Sequence, residues 1–73
     1  MKKTILLTGA SGYLGSYLAN ALVAKGYKLI ILKRKSSLLL RIESIIPKVV
    51  LYNIEDLDYS VLFNAHGKID VVI

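Results

Sequence analysis

The chain has 73 residues with no cysteine and no tryptophan, one proline, one methionine, one histidine and five carboxylates. Without cysteine there is no disulfide and no thiolate metal site, and one histidine supplies no metal-ligand set. This composition fits a reducing compartment, and the cytoplasm is the expected location. No apolar run approaches the roughly 20 residues needed to span a bilayer, so no membrane partner is expected. The apolar stretch after Lys2 and Lys3 ends at Thr8 and runs into glycines, unlike the apolar core of a signal peptide.

Apolar residues, by contrast, are abundant. They make up 55% of the chain, above the usual 45–50% or so. A chain of this size buries only ~60% of its unfolded surface. It therefore carries more apolar surface than its own core hides, which predicts a piece of a larger domain or a chain that associates, with a homo-oligomer expected. The net charge of +5 is lopsided. Residues 1–48 hold nine of the ten lysines and arginines against Glu43 alone, and residues 49–73 hold Lys68 against Glu55, Asp56, Asp58 and Asp70. A basic half can serve nucleic acid or be a solvated surface with a phosphate-binding corner. No aromatic-interleaved basic stripe occurs, so the second reading is favoured and no nucleic-acid partner is expected.

Short apolar runs alternate with helical patterns. Strands are expected at Lys3–Thr8, Leu29–Leu32, Val49–Tyr52 and Ile69–Ile73. A helix is expected over Tyr13–Lys25, with Leu14, Leu18, Ala21 and Leu22 as its apolar face and Gly26 as its left-handed stop. A short helix over Leu38–Ile46 would be capped by Ser36 or Ser37 and ended by Pro47. Another would run from a cap at Asp56 or Asp58 to about Ala65, with Gly67 as its stop. Strand-helix alternation implies parallel strands with right-handed crossovers. Continuous Ile/Leu/Val strands imply a sheet covered on both faces, a three-layer αβα arrangement. The expected strand order is 3-2-1-4, and the reversal beside strand 1 is where a ligand binds.

The run Thr8-Gly9-Ala10-Ser11-Gly12-Tyr13-Leu14-Gly15 stands at that place. Gly9 follows the strand, where the chain must turn sharply. Gly12 has no Cβ, so a phosphate can approach the backbone, and Gly15 lets the helix pack closely. The first helical N–H groups, near Tyr13 and Leu14, then face the anion with the positive helix end behind them. Ser11 can donate its hydroxyl to a pyrophosphate. No Gly-Lys-Ser/Thr follows, which excludes a P-loop. About 20 residues on, where an acid would favour NAD, stand Lys33, Arg34 and Lys35. A cation cluster suits a 2′-phosphate, so NADP is favoured over NAD. After strand 3, the Asn53 amide can meet a base edge and Ile54 can pack on its face. Asp56 is read as a helix cap and His66 as a surface residue in a helix-to-strand turn.

The glycine run resembles the T-G-x-x-G-x-x-G signature of the short-chain dehydrogenase/reductase superfamily. Its Gly-Tyr-Leu-Gly form is similar to the extended branch, the NAD-dependent epimerase/dehydratase group. The resemblance covers residues 1–73 and implies the N-terminal portion of a Rossmann-type, NAD(P)-binding doubly wound sheet, truncated before the rest of the domain. Arg34 stands where NADP-preferring members often carry a basic residue. Asn53 departs from the Asp that commonly contacts adenine in this branch. The family's catalytic Tyr-x-x-x-Lys is absent: Tyr13, Tyr17, Tyr27, Tyr52 and Tyr59 have no lysine four residues later. Tyr13 and Tyr17 are read as helix-face residues. The resemblance implies an oxidoreductase, epimerase or dehydratase parent acting on a nucleotide sugar or small carbonyl compound, with no turnover by the 73-residue chain alone. A non-enzymatic NADP-binding regulator of the same fold is the alternative.

Overall fold

The computed structural model describes residues 3–73. Lys2, counted above in the basic half, lies outside the described residues. Strands β1 (Thr4–Thr8), β2 (Lys28–Lys33), β3 (Val50–Asn53) and β4 (Val71–Val72) form one parallel sheet in the order β3-β2-β1-β4. This is the order expected from the alternation of apolar runs and helical segments. Helix α1 (Tyr13–Ala24) connects β1 to β2, and helix α2 (Tyr59–His66) precedes β4.

The continuous apolar strands divide between two faces because side chains alternate along a strand. Ile5 and Leu7 of β1, with Leu29 and Ile31 of β2, pack with Ala19 of α1 and with Ile42 and Ile45. Leu6, Ile30 and Leu32 point the other way and meet Leu62 of α2. Two small cores therefore lie on opposite sides of the sheet, giving the three layers. Leu7, Leu29, Ile30, Ile31, Ile42 and Leu62 are essentially inaccessible to solvent. Burying each such side chain contributes about 1.5–3 kcal/mol.

The ends of the helices follow local chemistry. Lys25 caps α1, and Gly26 follows with φ +88°. Asp58, not Asp56, caps α2, accepting from the Ser60 N–H at 2.9 Å and the Ser60 hydroxyl at 2.6 Å. Those bonds, the side-chain one foremost, hold the Asp58 carboxyl below its ordinary value. Gly67 closes α2 with φ +65°, its N–H donating to the Phe63 carbonyl. Asp70 fastens the approach to β4. Its carboxylate accepts from the Thr4 N–H at 2.8 Å, and its own N–H donates to the Thr4 carbonyl at 2.9 Å.

Four expectations are corrected. The segment expected as a helix over Leu38–Ile46 is a 3-10 helix over Leu40–Lys48. Pro47 lies inside it rather than ending it, since three-residue hydrogen bonding loses only the proline's missing donor. Neither Ser36 nor Ser37 caps this helix: Leu39 is its first flanking residue, without a side-chain cap bond. Finally, Leu14 is 80% exposed rather than part of the inner face of α1. Ser16 and Ala19 are the buried residues of α1, with Leu18, Leu22 and Val23 packed beside the core. Close approach of the helix to the preceding turn selects small side chains for its inner stripe and leaves Leu14 outside.

Candidate functional site

The turn from β1 into α1 is closed by its own backbone. The Gly12 N–H donates to the Gly9 carbonyl at 3.2 Å, and the Ser16 N–H donates to the Gly12 carbonyl at 2.9 Å. That second bond opens the helix, so the N–H groups of Tyr13, Leu14 and Gly15 precede any helical acceptor. They are the donors at the positive end of α1.

The glycines of the run differ from one another. Gly9 has φ +73°, a left-handed conformation that side chains disfavour. Gly12 is extended, with φ −78° and ψ 172°. A Cβ there would meet only the Gly9 oxygen, at an ordinary 3.6 Å. Among the described residues, nothing requires Gly12 to lack a side chain. Gly15 is different: a Cβ would overlap the Gly9 carbonyl oxygen and stand 2.7 Å from its carbon and 3.1 Å from the Ala10 Cα. The close packing expected at Gly15 is thus against the turn backbone itself.

A cleft of about 340 Å³ opens beside this turn, at the carboxyl ends of β1 and β2. Its walls include Gly9 and Ser11 from the turn, Lys33 and Arg34 from the end of β2, and Ile54 after β3. Two cations and no carboxylate line it. Sequence reasoning missed Thr8, Ala10, Leu32 and Ser37, which complete the walls. Thr8 and Leu32 could have been found from the rule that such sites lie at strand carboxyl ends.

The remaining candidates are distributed around this cleft. Gly12, Tyr13, Leu14 and Gly15 lie on the helix side of the turn. Tyr13 is 76% exposed, and the Arg41 guanidinium sits 5.5 Å from its ring centre. Asn53 pairs in register with Lys33 but borders a second cleft, of about 330 Å³, with Asp56 and Asp58. Lys35 turns away from the first cleft. Its ammonium lies 3.0 Å from the Asp56 carboxylate, and its backbone N–H donates to both Glu55 carboxylate oxygens at 3.0 and 3.2 Å. Asp56 thus belongs to a short 3-10 turn, Ile54–Asp56, and partners Lys35. Arg34 makes no ion pair among the described residues.

His66 also differs from expectation. It ends α2 and is partly buried, with its Nε2 2.8 Å from the Tyr52 hydroxyl. Its Nδ1 is buried without a partner among the described residues. Burial, and then the nearby Lys28 charge, lower its pKa below the ordinary value. This pair lies on the α2 side of the sheet and does not line the glycine cleft. Among the described residues no cluster of histidine and carboxylates could hold a metal, and no helix is long and apolar enough to cross a membrane.

A parallel sheet with its order reversed beside β1, and a glycine turn leading into a helix at that reversal, define a nucleotide-binding α/β fold. Residues 5–73 match the model of the NAD dependent epimerase/dehydratase family, and the chain belongs to that family. It is 54% identical over 37 residues to a GDP-mannose 4,6-dehydratase from Vibrio cholerae, a match covering 51% of this chain and 10% of that protein. Its fold is similar to a short-chain dehydrogenase from Streptomyces avermitilis, with a TM-score of 0.75 and 25% identity over 99% of this chain and 30% of the other. A nucleoside-diphosphate-sugar epimerase from Pseudomonas aeruginosa gives a TM-score of 0.71 and 29% identity, covering 99% and 23%. The chain therefore spans a third or less of the length of each of these relatives.

Proposed function

We propose that residues 1–73 form the dinucleotide-binding portion of an oxidoreductase, epimerase or dehydratase acting on a nucleotide sugar or small carbonyl compound, with NADP preferred to NAD. One observation carries this reading: the cleft beside the glycine turn is lined by Lys33 and Arg34 and by no carboxylate. The nicotinamide dinucleotide, when bound, supplies a hydride acceptor or donor.

The residues fit that group. The N–H groups of Tyr13, Leu14 and Gly15 face a pyrophosphate at the positive helix end, and the bare Gly12 backbone admits it. The Ser11 hydroxyl donates to a phosphate oxygen. Arg34, with its planar fork of donors, receives a 2′-phosphate, and Lys33 adds charge beside it. Ile54 would cover the adenine face, while Asn53, in register with Lys33, borders the second cleft. Lys35, already paired with Asp56, contributes least of the three cations. No tyrosine has a lysine four residues later, so this stretch grips the cofactor and does not itself move the proton. Binding without turnover is expected of the 73-residue chain.

Fluorescence titration of the chain with NADPH and NADH tests the reading. NADPH is expected to bind more tightly. Replacing Arg34 with alanine is expected to weaken NADPH about tenfold, the scale of one charge-assisted contact, and to leave NADH within about twofold. Equal affinity of the wild type for the two cofactors would refute the preference.

A further inference from the structure

The turn that carries Arg34 is held from a distance. Within it, the Ser37 N–H donates to the Arg34 carbonyl at 3.0 Å, and the Lys33 ammonium donates to the same oxygen at 3.3 Å. These contacts are local. One contact is not: the Lys35 N–H donates to both oxygens of Glu55, 20 residues away. The register of the sheet explains how they meet. Lys33 stands beside Asn53 in the last pair of β2 and β3. Lys35 and Glu55 each lie two residues beyond that pair. The Glu55 carboxylate therefore takes the place of the next strand carbonyl and extends the ladder past its end by a side chain.

We propose that Glu55 is a positioning residue for cofactor choice. Its carboxylate fixes the backbone of the turn at Lys35 and so holds Arg34 and Lys33 at the cleft wall. Asp56 pairs with the Lys35 ammonium at 3.0 Å and touches neither the turn backbone nor the cleft. That ion pair is more than half exposed on both sides, so it contributes little by itself. The carboxylate that accepts a main-chain N–H is the part that sets the turn, because it constrains the backbone and not a flexible side chain. An acid beside the cleft thus favours a phosphorylated ribose indirectly, without lining the cleft itself. This inference rests on the NADP reading above.

The test uses three variants of the chain, E55A, E55Q and D56A, titrated with NADPH and NADH, and amide hydrogen exchange at Lys35. Replacing Glu55 with alanine is expected to weaken NADPH about fivefold, the scale of one ordinary hydrogen bond, and NADH less than about twofold. The Lys35 amide is expected to exchange faster in the same variant. The E55Q variant keeps an oxygen acceptor and is expected to retain the preference for NADPH. Freeing only the Lys35 ammonium with D56A is expected not to lower NADPH affinity. A wild type without preference for NADPH overturns the cofactor reading and this inference together. A preference that survives E55A, a Lys35 amide that exchanges no faster, or a D56A loss as large as that of E55A overturns the inference alone. Equal weakening of both cofactors by E55A marks a merely structural role and also overturns it.

Discussion

Gly15 and Gly12 look alike in the sequence, yet only Gly15 is required by packing, and substituting each with alanine separates stability from the proposed binding. At position 15 the new Cβ would overlap the Gly9 carbonyl oxygen and press on the Gly9 carbon at 2.7 Å. Those atoms are backbone, so no rotamer change relieves the contact and α1 must move off the turn. Forcing an extra carbon into a tight site costs typically 1–3 kcal/mol, and the upper part of that range applies against backbone. Alanine recovers up to about 1 kcal/mol through its better helix propensity. The net loss is about 2 kcal/mol, which lowers the melting temperature by roughly 8–16 °C in a domain of this size. At position 12 the nearest atom would be 3.6 Å away and the backbone is extended. Only the N-cap preference for glycine over alanine is lost there, under about 1 kcal/mol. In the proposed binding mode the same methyl group would project toward the phosphate held by the Tyr13 and Leu14 amides, so cofactor affinity is expected to fall at least about tenfold, as for one lost charge-assisted bond. Circular dichroism melts give the stabilities and fluorescence titration gives the affinities. A G15A variant as stable as wild type would refute the packing reasoning. A G12A variant that binds NADPH normally would refute the phosphate reasoning.

Two further outcomes follow from the structure. Because His66 has a lowered pKa in the folded chain, the unfolded chain binds more protons between that value and the ordinary ~6.5. Its contribution to stability is therefore full above about pH 6.5 and is lost as pH falls through the folded value. Melts at pH 7.5 and 5.5 are expected to show lower stability at 5.5, and His66→Gln, which does not titrate, is expected to reduce that difference; an unchanged difference would contradict the assignment. Strand β4 is a sheet edge with Val72 66% exposed, and such edges pair with other chains. Sedimentation is expected to show association of the chain at micromolar concentration, reduced by Val72→Lys; a monomer at all concentrations would contradict this.

The sheet was legible because its strands are short apolar runs bounded by glycines and charges. The order followed from the crossovers and not from any strand's own sequence. Leu38–Ile46 misled because its apolar spacing suits both an α-helix and the 3-10 helix that forms, and a single proline does not distinguish them. Leu14 was misplaced because hydrophobic spacing ignores how closely α1 approaches the turn. The glycines and cations of the candidate site could be named from motif spacing, since their chemistry is local. The pairing of Lys35 with Glu55 and Asp56 could not, because it exists only once β2 and β3 are in register. Nor could the Tyr52–His66 contact, which needs α2 laid across the sheet.

In the proposed function, the amides opening α1 hold the cofactor's pyrophosphate. Backbone amide chemical shifts of the 73-residue chain, followed through a titration with NADPH, report on those amides one by one. The largest shifts are expected at Gly12, Tyr13, Leu14 and Gly15, with a second group at Lys33 and Arg34. Saturable binding that leaves the Gly12–Gly15 amides unmoved, or no binding at millimolar NADPH, would overturn this binding mode.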